Sequence, residues 1–95
     1  MIFDHVDYEQ LANIMKISNV DDYPQIEGKL APAAEAVISA SVGKKWVAAN
    51  ESHPVVVLLL CTLLAGWLDN PEMFGEITPG CNAMITLLQA EALEV

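Results

Sequence analysis

The side chains of this sequence that could carry out chemistry are few and widely spaced. A metal site on a helix needs two histidines about four residues apart, and the only histidines, His5 and His53, are far from each other. The two cysteines, Cys61 and Cys81, form no Cys-x-x-Cys pair, so neither a zinc ribbon nor a dithiol redox site is predicted. We expect two buried thiols in a reducing compartment, with no metal and no cofactor.

The carboxylates give no catalytic arrangement either. Asp21 and Asp22 precede a predicted helix, where the helix dipole favours negative charge. Glu72 and Glu76 lie in a loop-rich segment, where a solvated edge is the simpler interpretation. The chain contains no glycine-rich phosphate loop, and it lacks the Asp-Ser-Leu attachment site of an acyl carrier protein. The residues therefore predict a protein that is not an enzyme.

Composition and charge limit the class of protein and its partners. The chain has 95 residues with 13 acidic and 4 basic side chains, all of them lysine, and a formal net charge of −9. It is also 54% hydrophobic, which argues against disorder and favours one compact domain over residues 1–95. An acidic surface without arginine repels nucleic acid. No basic segment precedes an apolar run at the N-terminus, so no secretion signal is predicted.

The longest uncharged segment, Pro54 to Leu68, could be a membrane-spanning helix, a buried strand or a buried helix. It is shorter than the roughly 20 residues of a membrane-spanning helix, and longer than a buried strand of about 4–8 residues. Ser52 as N-cap and a proline in the first turn predict a helix over 53–69, which Asn70-Pro71 ends. The segment therefore predicts a buried helix and no membrane association.

This helix is apolar on every face, which an ordinary surface helix is not. Two interpretations remain open: a central helix covered by its neighbours, or a helix with one face packed against another subunit. We expect the second, because four short helices leave part of its circumference uncovered. The residues that we predict for this subunit interface are Val56, Leu60, Leu63, Trp67 and Met73.

Three further helices complete the prediction. Capping residues and apolar spacing place them over 7–16, 23–42 and 79–93. Pro32 lies in the interior of the second helix and predicts a kink there, because proline removes a backbone hydrogen bond. The fold class is therefore all-α, a small bundle of about four helices.

The sequence also predicts one loop and the inner face of the last helix. The segment from Lys45 to Ser52 is predicted to be a loop, with a short extended piece at Trp46-Val47. The last helix is predicted to turn four side chains toward the core, namely Met84, Leu87, Leu88 and Ala92.

The order of these pieces resembles a known protein family. In YEQLANIMKISNVDDYPQIEGKLAPAAEAVISASVGK, a short helix is followed by Met15-Lys16-Ile17, an Asp21-Asp22 turn and an alanine-rich helix that ends at Gly43. In HPVVVLLLCTLLAGWLDNPEMFGEITPGCNAMITLL, an apolar helix with an aromatic residue near its end continues into Asp69-Asn70-Pro71-Glu72 and a helix begun by Pro79-Gly80. Over residues 7–90 the chain resembles the head–tail connector (adaptor) proteins of long-tailed phages and prophages, also described as DNA-packaging proteins.

This resemblance implies a virion assembly protein. Its subunits would form a homo-oligomeric ring, twelve-fold, between the portal protein and the tail. The ring would extend the channel through which DNA passes without specific binding, and would dock head-completion or tail proteins. The expected locations are the head–tail junction of the virion and, during assembly, the host cytoplasm.

The sequence departs from the family pattern at three places. Lys16 and Pro71 stand where many relatives have arginine, and the connection between the second and third helices is short for the hairpin or strand that others carry. Any subunit contact that uses those arginines would differ in this chain.

Two other function classes remain open. An acidic helical binding module, either a regulator or a DNA mimic, would be a monomer or dimer that captures a basic protein with steep salt dependence. An enzyme or cofactor carrier would show an attached group by intact mass. A connector would instead self-associate, alone or on its portal.

Overall fold

The computed structural model describes residues 1–93, and all regular structure in that range is helical. The predicted all-α bundle is confirmed, with four helices of eight or more residues and one shorter helix. The five α-helices are α1 (Tyr8–Met15), α2 (Ala31–Val42), α3 (Lys44–Ala49), α4 (Pro54–Asp69) and α5 (Asn82–Leu93).

The apolar helix α4 lies at the centre of the bundle. It contacts α1, α2, α5 and several short helical turns, so neighbours cover most of its circumference. Leu58 is the exception, with 46% of its surface exposed. Each large apolar side chain that is fully buried contributes roughly 1.5–3 kcal/mol to folding. The buried side chains of α4 are Val56, Leu59, Leu60, Cys61, Leu63, Leu64 and Trp67.

His53, not Ser52, is the N-cap of α4, which corrects the sequence prediction. Its Nδ1 accepts a hydrogen bond from the Val55 N–H at 3.1 Å. Because Nδ1 acts as the acceptor, the ring proton belongs on Nε2, which lies 3.2 Å from Glu91 Oε1. One imidazole therefore caps α4 and also joins it to α5.

The predicted irregularity in the second helix takes the form of a π-helical turn over Ile26–Leu30, directly before α2. The Ala31 N–H bonds to the Ile26 carbonyl, five residues back instead of four. Pro32 follows this turn by two residues, inside a helical stretch that runs without a break from residue 24 to 42. The irregularity near the predicted kink is therefore a π-helical turn, and the wider turn leaves room for a proline that lacks the N–H of an ordinary helical residue.

The predicted loop after α2 is wrong, because Lys44–Ala49 is the helix α3. Gly43 has φ +135°, a conformation that favours glycine, and it ends α2 while starting α3. Val47 is 3% exposed, and this helix directs it into the core. The Asn50 side chain closes α3 by donating to the Trp46 carbonyl at 2.8 Å.

The boundaries of α1 agree with the prediction to within one residue. The Asp7 side chain caps the helix by accepting from the Glu9 N–H at 2.9 Å. Lys16 ends it in the left-handed conformation, with φ +59°, and the Ile17 N–H bonds back to the Ala12 carbonyl at 3.0 Å. This is a helix terminus of the kind usually built with glycine.

The first residues of the chain form a 3₁₀ turn, Ile2–His5, that the sequence analysis did not predict. Ile2 is fully buried and Phe3 is nearly so. The Glu35 carboxylate of α2 accepts from the Ile2 N–H at 2.8 Å and from the Phe3 N–H at 3.4 Å. The turn is therefore held both by apolar burial and by a charged acceptor.

The predicted inner face of α5 is correct at Leu88 and wrong at Leu87, and Met84 packs against the core from a half-buried position. Ile85 and Leu88 are buried, together with Cys81 from the 3₁₀ turn Pro79–Cys81 that precedes the helix. Leu87, predicted to face the core, is 50% exposed, and Met84 is only half buried. The helix is apolar on both sides, so its pattern could not fix its rotation about its own axis.

Close packing links the last turn of α4 to the segment that precedes α5. A Cβ added at Gly66 would lie 2.9 Å from Thr78 Cγ2, which is too close for two carbon atoms. Thr78 is itself fixed, because its hydroxyl lies 3.1 Å from Cys81 Sγ. Glycine at position 66 lets the segment before α5 lie directly on α4.

We expect Gly66→Ala to destabilise the protein by about 1 kcal/mol, because the clash with Thr78 outweighs the higher helix propensity of alanine. Thr78→Ser removes only the clashing methyl group and keeps the hydroxyl. In that background, the same Gly66→Ala change should stabilise by up to about 1 kcal/mol. Urea unfolding of the four proteins measures this reversal of sign, and equal effects in both backgrounds would contradict the packing argument.

Candidate interaction surfaces

Four of the five predicted interface residues lie inside the single chain. Val56, Leu60 and Leu63 are fully buried and Trp67 is 1% exposed, so their side chains cannot contact another subunit in this fold. Met73 is half buried and packs against the same core. The structure thus favours the central-helix interpretation of α4 for these positions, because its own neighbours are enough to cover them.

Trp67 anchors the segment that connects α4 with α5. Its Nε1 donates to the Glu76 carbonyl at 2.9 Å, and its ring lies 5.3 Å from that of Phe74. Phe74 is 40% exposed, and the Lys29 ammonium lies 5.1 Å from the centre of its ring. A single buried indole therefore orders the segment between α4 and α5, which has little other regular structure.

The described residues hold no group of three or more His, Cys, Asp or Glu side chains placed to bind a metal. Burial raises the pKa of the Cys61 thiol to about 11. Burial also raises the pKa of the Cys81 thiol, although its contact with the Thr78 hydroxyl partly offsets this. Both sulfurs are therefore protonated and unreactive near neutral pH.

The outer sides of α2 and α5 form a surface that we call the neutral face. The two helices lie side by side, joined by a 2.7 Å hydrogen bond from Gln89 Nε2 to the Ser41 carbonyl. Neither helix contains a lysine, and their only acids, Glu35 and Glu91, are half buried and hydrogen-bonded. Lys44 of α3 lies at the edge of this surface, where it lines a shallow depression with Ala36 and Ala40. The exposed residues that define the neutral face are Ala36, Ala40, Ala83, Leu87, Ala90 and Leu93.

A second uncharged surface lies where α1 meets the first turns of α4. We call it the Leu58 groove, a depression of about 340 Å³. Its lining residues are His5, Gln10, Ile14, Ser52, Pro54, Val57, Leu58 and the largely buried Cys61. None of its lining residues is a carboxylate or a lysine. Leu58 is the one large side chain of α4 that the bundle leaves well exposed.

Sequence reasoning missed both surfaces, although a signal was present for each. The α5 segment has one charged residue in its length, Glu91, which is unusual for a helix with one side in water. Its apolar pattern predicts a core face that includes Leu87, which the structure leaves 50% exposed. For α4, four of the predicted interface residues are buried, and the exposed Leu58 is not among the five.

In the part of the chain that the structure describes, no helix combines the length and apolar character needed to span a bilayer. Comparison of the chain with protein-family models, with curated proteins and with solved structures finds no match. The function must therefore be argued from the surfaces themselves.

Trp67→Ala should cost about 3–5 kcal/mol of folding stability, because it leaves a large cavity in the core and frees the Glu76 carbonyl. The matched control is Leu58→Ala, a truncation on the exposed side of the same helix, which should cost less than about 1 kcal/mol. Chemical denaturation of both variants tests this. If Trp67→Ala folded with wild-type stability, the core assignment of the indole would be wrong.

Both thiols should resist iodoacetamide at about pH 8 in the folded protein and react fully once the chain is denatured, as intact mass will show. The Cys61 pKa is raised on folding, from 9.0 to about 11. Its contribution to stability is therefore fully present below pH 9 and is lost as the pH rises toward 11. Rapid alkylation of native protein would contradict the buried assignment, and Cys81→Ser would identify the reacting sulfur.

Proposed function

We propose that this protein is a structural subunit of virion assembly that forms a homo-oligomeric ring between the portal and the tail of a long-tailed phage. The ring extends the DNA channel and docks head-completion or tail proteins. The observation that carries the proposal is the presence of two uncharged, partly apolar surfaces, the neutral face and the Leu58 groove, on an otherwise acidic chain. The resemblance of residues 7–90 to connector proteins supports the same conclusion.

Charge limits where two copies of this chain can touch. Each copy carries a formal charge of −9, so a contact that opposes acidic surfaces is unfavourable. Within residues 1–93, the acids outside α2 and α5, apart from half-buried Glu51, are exposed along residues 4–27 and 69–76. The neutral face and the Leu58 groove avoid this repulsion. Self-association is therefore most favourable through these two surfaces.

The two surfaces suit a ring because they differ from each other. A contact between identical surfaces closes as a dimer, whereas a contact between two different surfaces continues from subunit to subunit and can close as a ring. The neutral face lies on α2 and α5, and the Leu58 groove lies between α1 and α4. In the proposed contact, Leu87 of one subunit enters the Leu58 groove of the next.

The remaining surface suits the wall of a DNA channel. It is rich in exposed carboxylates, which outnumber its four exposed lysines, and the chain contains no arginine. Binding to the DNA backbone needs lysine or arginine to displace counterions, so such a wall would let DNA pass without holding it.

A second candidate function is an acidic module that binds a basic protein, either as a regulator or as a DNA mimic. The exposed carboxylates of residues 4–27 favour it. This candidate predicts a monomer or dimer whose complex weakens steeply with added salt. An affinity that does not depend on salt would argue against it.

Light scattering at two concentrations, with electron microscopy of any large species, should show rings with a central hole, alone or on the portal. Leu87→Glu and Leu58→Glu should each abolish the assembly without changing the helical content. Asn13→Glu, an equal charge change on the exposed side of α1, should leave it intact.

Mixing the two defective variants gives a sharper test. A Leu87→Glu subunit keeps its groove and a Leu58→Glu subunit keeps its neutral face, so the mixture should form one-to-one pairs and stop there. A protein that stays monomeric even with its portal would contradict the ring. Disruption by Leu87→Glu but not by Leu58→Glu would indicate a dimer through the neutral face.

A further inference from the structure

A third surface, which we call the Tyr8 groove, differs from the neutral face because it carries negative charge. It is a depression of about 440 Å³ between the start of α1 and the π-helical turn before α2. Its walls are mostly aromatic and apolar, and two carboxylates stand among them. The residues that line it are Tyr8, Val20, Asp21, Tyr23, Pro24, Glu27 and Gly28.

The carboxylates of the Tyr8 groove are available to a ligand. Asp21 and Glu27 are exposed, and within residues 1–93 neither carboxylate makes a hydrogen bond or an ion pair. None of the four lysines lines the groove. Partial burial raises the pKa of the Tyr8 phenol, and so do the nearby charges of Glu27, Asp21 and Asp4. Those three carboxylates make the electrostatic potential at this aromatic wall negative.

The floor of the groove is open. A Cβ added at Gly28 would meet no atom within 4 Å, so no side chain of the protein fills the space above it. Tyr8 is 38% exposed, and its ring is held from behind by Phe3, at 5.6 Å between ring centres. The groove is therefore a formed depression with a fixed aromatic wall.

We propose that the Tyr8 groove binds an arginine side chain on an exposed segment of a partner protein. A planar guanidinium can stack on a tyrosine ring while it donates hydrogen bonds to neighbouring carboxylates, which an ammonium group cannot do as well. The chain itself contains no arginine, so the ligand comes from another protein. This inference does not depend on ring formation, and it gives the acidic side of the molecule a defined partner chemistry.

The test is a nuclear magnetic resonance titration with two terminally blocked peptides. One is Gly-Gly-Arg-Gly-Gly, and the other carries citrulline, which has the shape of arginine without its charge. We expect the arginine peptide to shift the amide signals of Tyr8, Tyr23 and Gly28, and the ring signals of the two tyrosines, in a saturable way. The citrulline peptide should bind at least roughly fivefold more weakly.

Two isosteric variants separate the groove from the general acidity of the chain. Glu27→Gln should weaken the arginine peptide roughly fivefold, whereas Glu72→Gln, the same charge change on the exposed connector after α4, should have little effect. Gly28→Trp should fill the open floor and remove binding. These three positions are exposed, so we expect each variant to keep the fold. The spectrum of each variant without peptide will verify this.

Three outcomes would overturn the proposal. They are equal binding of the citrulline peptide, an equal loss in Glu27→Gln and Glu72→Gln, and shifts spread over the whole acidic surface. Groove signals that move with protein concentration alone would also overturn it, because they would assign the groove to a lysine of a second copy. Oligomeric mass is measured separately, so loss of the ring and loss of arginine binding can be told apart.

Discussion

Burial of α4 is the constraint on which the rest of the structure depends. A helix that is apolar around its whole circumference needs cover on nearly every side, and a chain of 95 residues has few elements with which to provide it. α1, α2 and α5 provide most of the cover, and short turns at either end of α4 provide the remainder. The 3₁₀ turn at Ile2–His5 and the segment between α4 and α5 that Trp67 holds are therefore parts of the core.

The sequence was sufficient for the elements with strong local signals. Pro54 and Asn70-Pro71 bracket α4, and Asp7 marks the start of α1, because caps and prolines act over one turn of chain. It was not sufficient for α3, since Trp46-Val47 has no helical periodicity of its own and is ordered by tertiary packing. The orientation of α5 failed for a similar reason: leucine and alanine on both sides leave no preferred inner face.

The candidate surfaces show why an interface is harder to predict than a core. Apolar periodicity identified α4 as a helix that needs contacts, and the predicted contact residues were those that its own chain already satisfies. What distinguishes the neutral face and the Leu58 groove is the lack of charge on an acidic molecule, which requires knowledge of which residues are exposed together. The Tyr8 groove likewise joins α1 with residues 20–28, and no sequence motif connects them.

The π-helical turn before α2 has a consequence for the length of the chain. Ile26 and Ile38 are both buried but lie twelve positions apart, about a third of a turn out of phase in an uninterrupted α-helix. The wider turn absorbs one residue and brings the two back onto the same side. A chain lacking one residue between 26 and 30 would keep its apolar stripe aligned as a plain α-helix. Pro32 would then lie in a plain α-helix, without the wider turn before it, and its ring would clash with a backbone carbonyl. The proline therefore depends on the extra residue, so such a deletion would be tolerated only where the proline is replaced as well.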